Sequence, residues 1–286
     1  MNQDIQNIVR HRFSCRSFAN EPIREAHQYE LRQFLTSLRA GPLGTQARFD
    51  LIAATTEDRR SLKGLGTYGF IKNPTGFIIG SVTQAENNLE DYGYLLEQAV
   101  LEATDLGLGT CWLGGTFTKS SFAKKASLQE GEIIPAVIAT GYMEERKAQD
   151  GQIRRYLGAN RRLPFEQLFF DNSFASPLTI FNAGIFAQPL EMVRWAPSAS
   201  NRQPWRIIRI DEAWHFFLKR TKNYGKGTMI FNLMQLSDLQ RVDMGIAMCH
   251  FELTLHEMGV DGRWKIENPK IIVPENTEYI VTWLAE

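Results

Sequence analysis

The sequence predicts an α+β fold made of two repeats, each a β-sheet packed by long helices. Two long helical patterns with apolar faces, 88–106 and 238–258, both run into a glycine, Gly107 and Gly259. The landmarks around them recur. Asp91, Gly93, Gly107 and Trp112 stand at intervals of two, fourteen and five residues, as do Asp243, Gly245, Gly259 and Trp264. Upstream, Ala40 precedes Phe49 by nine residues and Ala196 precedes Trp205 by nine. Self-similarity at a spacing of about 150 residues reads as a duplication, with repeats over 1–165 and 166–286.

The elements follow in order. Residues 4–11 form a short helix with Ile5, Ile8 and Val9 on one face. In 25–38, Leu31, Phe34, Leu35 and Leu38 recur at three and four residues, the spacing of a buried helical stripe. Gly41-Pro42-Leu43-Gly44 ends it. Strands are expected over 49–54 and 76–82. Between them, 59–68 reads as a weak helix entering a loop with Gly64, Gly66 and Gly69, and Tyr68 and Phe70 make that loop a candidate flap. The long helix 88–106 stops where Gly107 provides a left-handed cap. A short helix over 119–126 and a strand over 133–142, apolar enough for burial on both faces, complete the first half. Residues 165–186 read as a connecting segment packed on the body. A helix over 190–195, a hairpin of 206–211 with 214–219, the long helix 238–258 and a strand over 279–284 form the second half.

Composition bounds the function. In 286 residues, 32 Lys and Arg balance 32 Asp and Glu, which argues against wholesale attraction to nucleic acid or a membrane surface. Cys15, Cys111 and Cys249 form no Cys-x-x-Cys pair, which argues against a zinc site and fits free thiols in a reducing compartment. No transmembrane run or signal peptide is read, so a cytoplasmic location is expected.

The chemistry is distributed unequally between the halves. Arg12, Ser14 and Arg16 alternate, and in an extended segment they share one face. Two guanidinium groups and a hydroxyl there suit a phosphate; a solvated basic segment is the alternative. Trp112-Leu113-Gly114-Gly115 lets backbone N–H groups approach a ligand, or makes a plain turn. A second basic cluster comprises Arg154, Arg155, Arg161 and Arg162. The loop Pro197-Ser198-Ala199-Ser200-Asn201-Arg202-Gln203-Pro204-Trp205 has no counterpart in the first half, and 176–189 has no basic residue. Each half supplies what the other lacks, which points to one composite site at their junction.

These residues resemble the nitroreductase family of FMN-dependent oxidoreductases, and most closely its members with two nitroreductase-like repeats in one chain. The family's Arg-x-Ser-x-Arg-x-Phe stands here as Arg12 to Phe18, its Pro-Ser-x-x-Asn-x-Gln-Pro-Trp as Pro197 to Trp205, its glycine-ended helix and flavin-facing loop as Gly107 to Gly115, and its Arg-Leu-Pro-x-Glu as Arg162 to Glu166. The resemblance implies a nitroreductase-like fold in which the second repeat acts as a built-in partner subunit, so that a monomer is sufficient for one site. It implies FMN as cofactor, with Arg12, Ser14 and Arg162 on its phosphate and Arg161 assisting. Arg16 would stabilise negative charge on the reduced ring, Leu113 to Gly115 would donate to the ring edge, and Phe13, Trp112 and Pro197 to Asn201 would complete the site. NAD(P)H would deliver reducing equivalents for a nitroaromatic, quinone or flavin acceptor. A flavin-binding protein without turnover and a cofactor-free interaction protein are the rival functions. Two positions depart from the pattern: Asn160 stands where the family often has a basic residue, and Gly114 where many members have glutamate.

Overall fold

Local chemistry sets the first elements of the computed structural model, which describes residues 1, 3–54, 62, 65–144, 161–228, 231 and 236–286. The Asp4 side chain accepts from the Gln6 N–H and starts helix α1 (Ile5–His11). The chain then runs extended through residues 12–18, and the Cys15 N–H bonds Thr110 O at 2.8 Å. Helix α2 (Glu25–Ser37) buries Leu31 and Leu35 against β1 (Ala47–Ala53). The weak helix expected over 59–68 falls partly, and Arg154, Arg155 and the neutral Asn160 wholly, outside the described residues.

The first sheet is antiparallel, in the order β1, β2 (Gly76–Thr83), β5 (Val137–Gly141), β3 (Gly109–Leu113), with the short β4 (Glu132–Ile133) paired to the end of β2. Alternation puts Ile78, Leu51 and Ile138 in the main core and Phe77, Ile79 and Val137 in a second cluster on the opposite face. The strand expected over 133–142 is thus two strands. Pro135 between them has no N–H for a ladder, and Ala136 turns its carbonyl to the Tyr92 hydroxyl at 2.5 Å.

Helices α3 (Asn88–Asp105) and α6 (Leu239–Glu257) cross at the centre, each ending at a glycine of positive φ, Gly107 (φ 76°) and Gly259 (φ 72°). At the crossing a Cβ on Gly93 would fall on the carbonyl of Val242, and one on Gly245 on the carbonyl of Glu90. Three polar contacts tie the two helices. Arg241 holds Glu90 bidentately (2.6 and 2.7 Å), the Tyr94 hydroxyl donates to Glu252, and His250 meets Glu97 at 2.9 Å.

The second sheet runs β10 (Gly262–Lys265), β11 (Thr277–Ala285), β9 (Ala213–Lys219), β8 (Trp205–Ile210), β6 (Phe169–Asp171), β7 (Ser173–Pro177). The segment 165–186 is therefore not merely a connection. Its first strand pairs in parallel with β8 and its second closes that edge. Helix α5 (Ala187–Trp195) begins three residues earlier than its apolar pattern suggests and packs on α6. The remaining helix, α4 (Lys119–Lys125), covers the second face of the first sheet through Phe122. No helix among the described residues is long and apolar enough to cross a membrane.

Candidate functional site

The extended segment 12–18 explains the site's first wall. With its backbone bonded to Thr110, the segment turns Cys15 and Phe18 into the second core cluster. Arg12, Ser14 and Arg16 point the other way, into a cavity of ≈ 450 Å³, within the range of about 300–1,000 Å³ typical of small-molecule sites. Trp112, Leu113, Gly114 and Gly115, leaving the end of β3, form the adjoining wall. The second half closes the cavity with Pro197 to Asn201 and with the Leu239, Val242, Asp243 and Ile246 face of α6. Residues from both halves of the sequence thus line one cavity.

Arg162 enters from the segment before the second half. Its Nη1 donates to Asn201 Oδ1 (3.2 Å) and its Nη2 to Trp195 O (3.1 Å), while its guanidinium lies 5.6 Å from the Trp195 ring centroid. The loop opposite explains its aim. Asn201 Nδ2 and Gln203 Nε2 both donate to Arg161 O, and Gln203 Oε1 accepts from the Leu163 N–H. The loop is bent to reach them: Ser200, Asn201 and Gln203 all have φ near +50° (51°, 53° and 48°), a costly conformation for side-chain-bearing residues. Ser198 Oγ accepts from the Gln203 N–H at 2.9 Å and fixes the bend.

The electrostatics are those of an anion site. Burial, reinforced by the like charges of Arg12 and Arg194, lowers the Arg162 pKa to about 10. Burial also lowers that of Arg12, against the attraction of Glu97 and Cys111. The Arg12 Nε is buried without a partner, and neither Arg12 nor Arg16 makes a side-chain hydrogen bond or ion pair with a described residue. Partly desolvated cations lining one cavity favour a ligand that carries negative charge.

A family profile described as "Putative TM nitroreductase" matches residues 4–255. The chain belongs to the nitroreductase family. A crystal structure described as a putative nitroreductase from Thermotoga maritima is similar over 99% of this chain and 94% of that one, with a TM-score of 0.60 at 20% identity. A nitroreductase with bound FMN from Bacteroides fragilis covers 51% of this chain, and 91% of its own, at 16% identity and a TM-score of 0.40. An oxidoreductase containing FMN covers 61% of this chain, and 94% of its own, at 16% identity and a TM-score of 0.48. No curated protein matches the chain.

In this nitroreductase-family chain, two residues singled out in the sequence do not line the cavity. Phe13 packs against the second core cluster, as strand alternation requires. Arg161 exposes its side chain and contributes its carbonyl. Gly114 has a steric reason for lacking a side chain: a Cβ there would overlap Leu239 of α6. Of the candidate flap, Phe70 reaches the cavity wall, whereas Gly64 lies outside the described residues. Several lining residues were not anticipated as such, among them Ile71, Ala136 and the Leu239, Val242 and Ile246 face of α6. Cys111 precedes Trp112 on β3. Tyr224 meets the Ser200 hydroxyl at 3.1 Å. Asp243 entered the sequence reading as a repeat landmark, and that periodicity was the one signal available for it.

Proposed function

We propose that this chain is an FMN-dependent oxidoreductase whose single flavin site is the cavity between its halves. The observation that carries the reading is the group of three arginines, Arg12, Arg16 and Arg162, around one cavity, with a buried Arg12 Nε that no described residue satisfies. A phosphate oxygen suits that nitrogen, and Arg162, positioned by Asn201 and Trp195, completes the cradle. The narrow wall at Gly114 and Gly115 suits a flat ring, and Pro197 to Ala199 would flank it from the other half. Bound there, FMN supplies the electron transfer between NAD(P)H and an acceptor such as a nitroaromatic, quinone or flavin. The protein binds and orients it, excludes water with the Leu239 and Ile246 face, and holds the Arg16 charge where it favours added negative charge.

The same reading makes residues 166–286 a built-in partner for 1–165. The matched glycines at the α3–α6 crossing support it: Gly93 lies against Val242 and Gly245 against Glu90, at corresponding positions of the two helices. Among the described residues one group of arginines, Arg12, Arg16 and Arg162, is placed to hold a phosphate, so we expect one FMN per chain, complete in a monomer. Titration of apoprotein by flavin fluorescence, together with sedimentation, checks both points. Two equivalent sites, or FMN lost on dissociation of an obligate dimer, would contradict the composite site.

Arg12→Ala is expected to weaken FMN binding by roughly 10- to 150-fold, the equivalent of about 1.5–3 kcal/mol for a charge-assisted hydrogen bond. Arg16→Ala should retain the flavin but lower its reduction potential. The visible spectrum and anaerobic reduction by NAD(P)H test the function itself. A yellow protein that NAD(P)H cannot reduce is a flavin carrier, and one that stays colourless with added FMN is neither.

A further inference from the structure

Asp91 and Asp243 occupy matching positions on α3 and α6, and both carboxylates anchor the small-residue loop of their own half. Asp91 uses both oxygens, accepting the Leu43 and Thr45 N–H groups at 2.8 Å each. Asp243 uses one. Its Oδ1 accepts the Ala199 N–H at 2.9 Å, while Oδ2 is buried, has no partner among the described residues, and belongs to a residue that lines the cavity. The residue is 2% exposed. Asp91 shows what the anchoring role alone requires, so the second oxygen of Asp243 is left over from it.

We propose that Asp243 is a hydrogen-bond donor through Oδ2 and that it selects ligands presenting an acceptor oxygen, of quinone, carbonyl or nitro type, at this point of the cavity. The groups around it favour the acid over the carboxylate. Glu97 faces it from α3, Asp238 from the start of its own helix, and the Tyr224 hydroxyl from the loop after β9; the first two repel a negative charge. Arg220 is engaged by Asp238 and Glu278, and Arg241 by Glu90. Arg12, Arg16 and Arg162 line the same cavity. Burial pushes the carboxyl well above the usual range, with the like charges adding and the Ala199 N–H opposing. A buried O–H needs an acceptor, and Asp243 is a residue of the cavity wall.

The proposal rests on the flavin reading for its probe alone. Oxidised holoprotein without NAD(P)H is titrated with menadione from about pH 6 to about pH 10, followed by the flavin absorbance. Wild-type affinity is expected to fall about tenfold as the donor is lost with rising pH. Asp243→Asn, whose amide both accepts from Ala199 and donates to the ligand, should keep the low-pH affinity throughout. Infrared difference spectra of wild type against this variant should contain a protonated-carboxyl C=O band at neutral pH. An affinity independent of pH in the wild type, or the absence of that band, overturns the proposal. If the protein takes up no FMN, the flavin reading fails by itself, and the infrared comparison, which needs no ligand, still decides the state of Asp243.

Discussion

Gly245→Ala is expected to destabilise the chain by at least about 4 kcal/mol, at the upper end of what single substitutions do. The added Cβ would coincide with the Glu90 carbonyl and crowd the Tyr94 N–H, all backbone atoms that no rotamer change can move. Relief requires α3 and α6 to separate. Overpacking alone typically costs about 1–3 kcal/mol. Here the movement also stretches Arg241–Glu90, Tyr94–Glu252 and His250–Glu97, which span the same crossing. Gly93→Ala meets Val242 in the corresponding way and should behave alike. A control separates this effect from backbone propensity. Gly107→Ala places its Cβ in open space, so its penalty is the positive φ alone, about 1 kcal/mol. For a chain of this size about 1 kcal/mol shifts Tm by roughly 2–4 °C. Thermal unfolding should therefore separate the two classes of variant clearly. A Gly245→Ala protein melting with the Gly107→Ala control would show that the crossing is looser than described.

What the sequence displayed was whatever depends on short-range spacing. Alternation over 12–16 was enough to place Arg12, Ser14 and Arg16 on one wall, and the same rule, applied to Phe13, would have excluded it. The glycine-ended helices and the hairpin of β8 and β9 follow from local pattern. Pairings between distant segments were not legible. Strand β6 is three residues long and apolar around Phe169 and Phe170, so it shows no alternation, and its partner β8 begins only at Trp205. Strand β10 offers one inward residue, Trp264, between the exposed Arg263 and Lys265, too short a pattern to read as a strand; it pairs with the edge that β11 offers. His250 was readable as a helix residue, and it is one. That it meets Glu97, 153 residues away, depends on how α3 crosses α6, which no local pattern encodes.

That pair carries the second large effect. His250 and Glu97 are fully buried. Nδ1 of the ring lies 3.1 Å from Met192 O, which can only accept, so this nitrogen carries a hydrogen. Nε2 lies 2.9 Å from Glu97 Oε1, while Glu97 Oε2 accepts from Trp112 Nε1 at 2.8 Å. Two lone pairs cannot face each other at that distance, so the contact between Nε2 and Oε1 holds a further hydrogen. Glu97→Ala removes the partner of both the ring and the indole and leaves buried polar groups unsatisfied. His250→Ala leaves the buried Glu97 side chain with one of its two hydrogen bonds. Breaking a buried pair from one side costs about 3–5 kcal/mol, and each of these variants is expected to lose that much. Glu97→Gln should not. Its carbonyl can accept from Trp112 and its amide can donate to Nε2, a match to the neutral ring with its hydrogen on Nδ1, so the loss should stay near about 1 kcal/mol. Because Trp112 lines the cavity, Glu97→Ala should also change the environment of the neighbouring wall, visible as a shift in tryptophan fluorescence. Chemical denaturation of the three variants checks the ranking. A Glu97→Gln protein as unstable as Glu97→Ala would mean that charge, rather than the number of available donors and acceptors, holds the two halves together at this point.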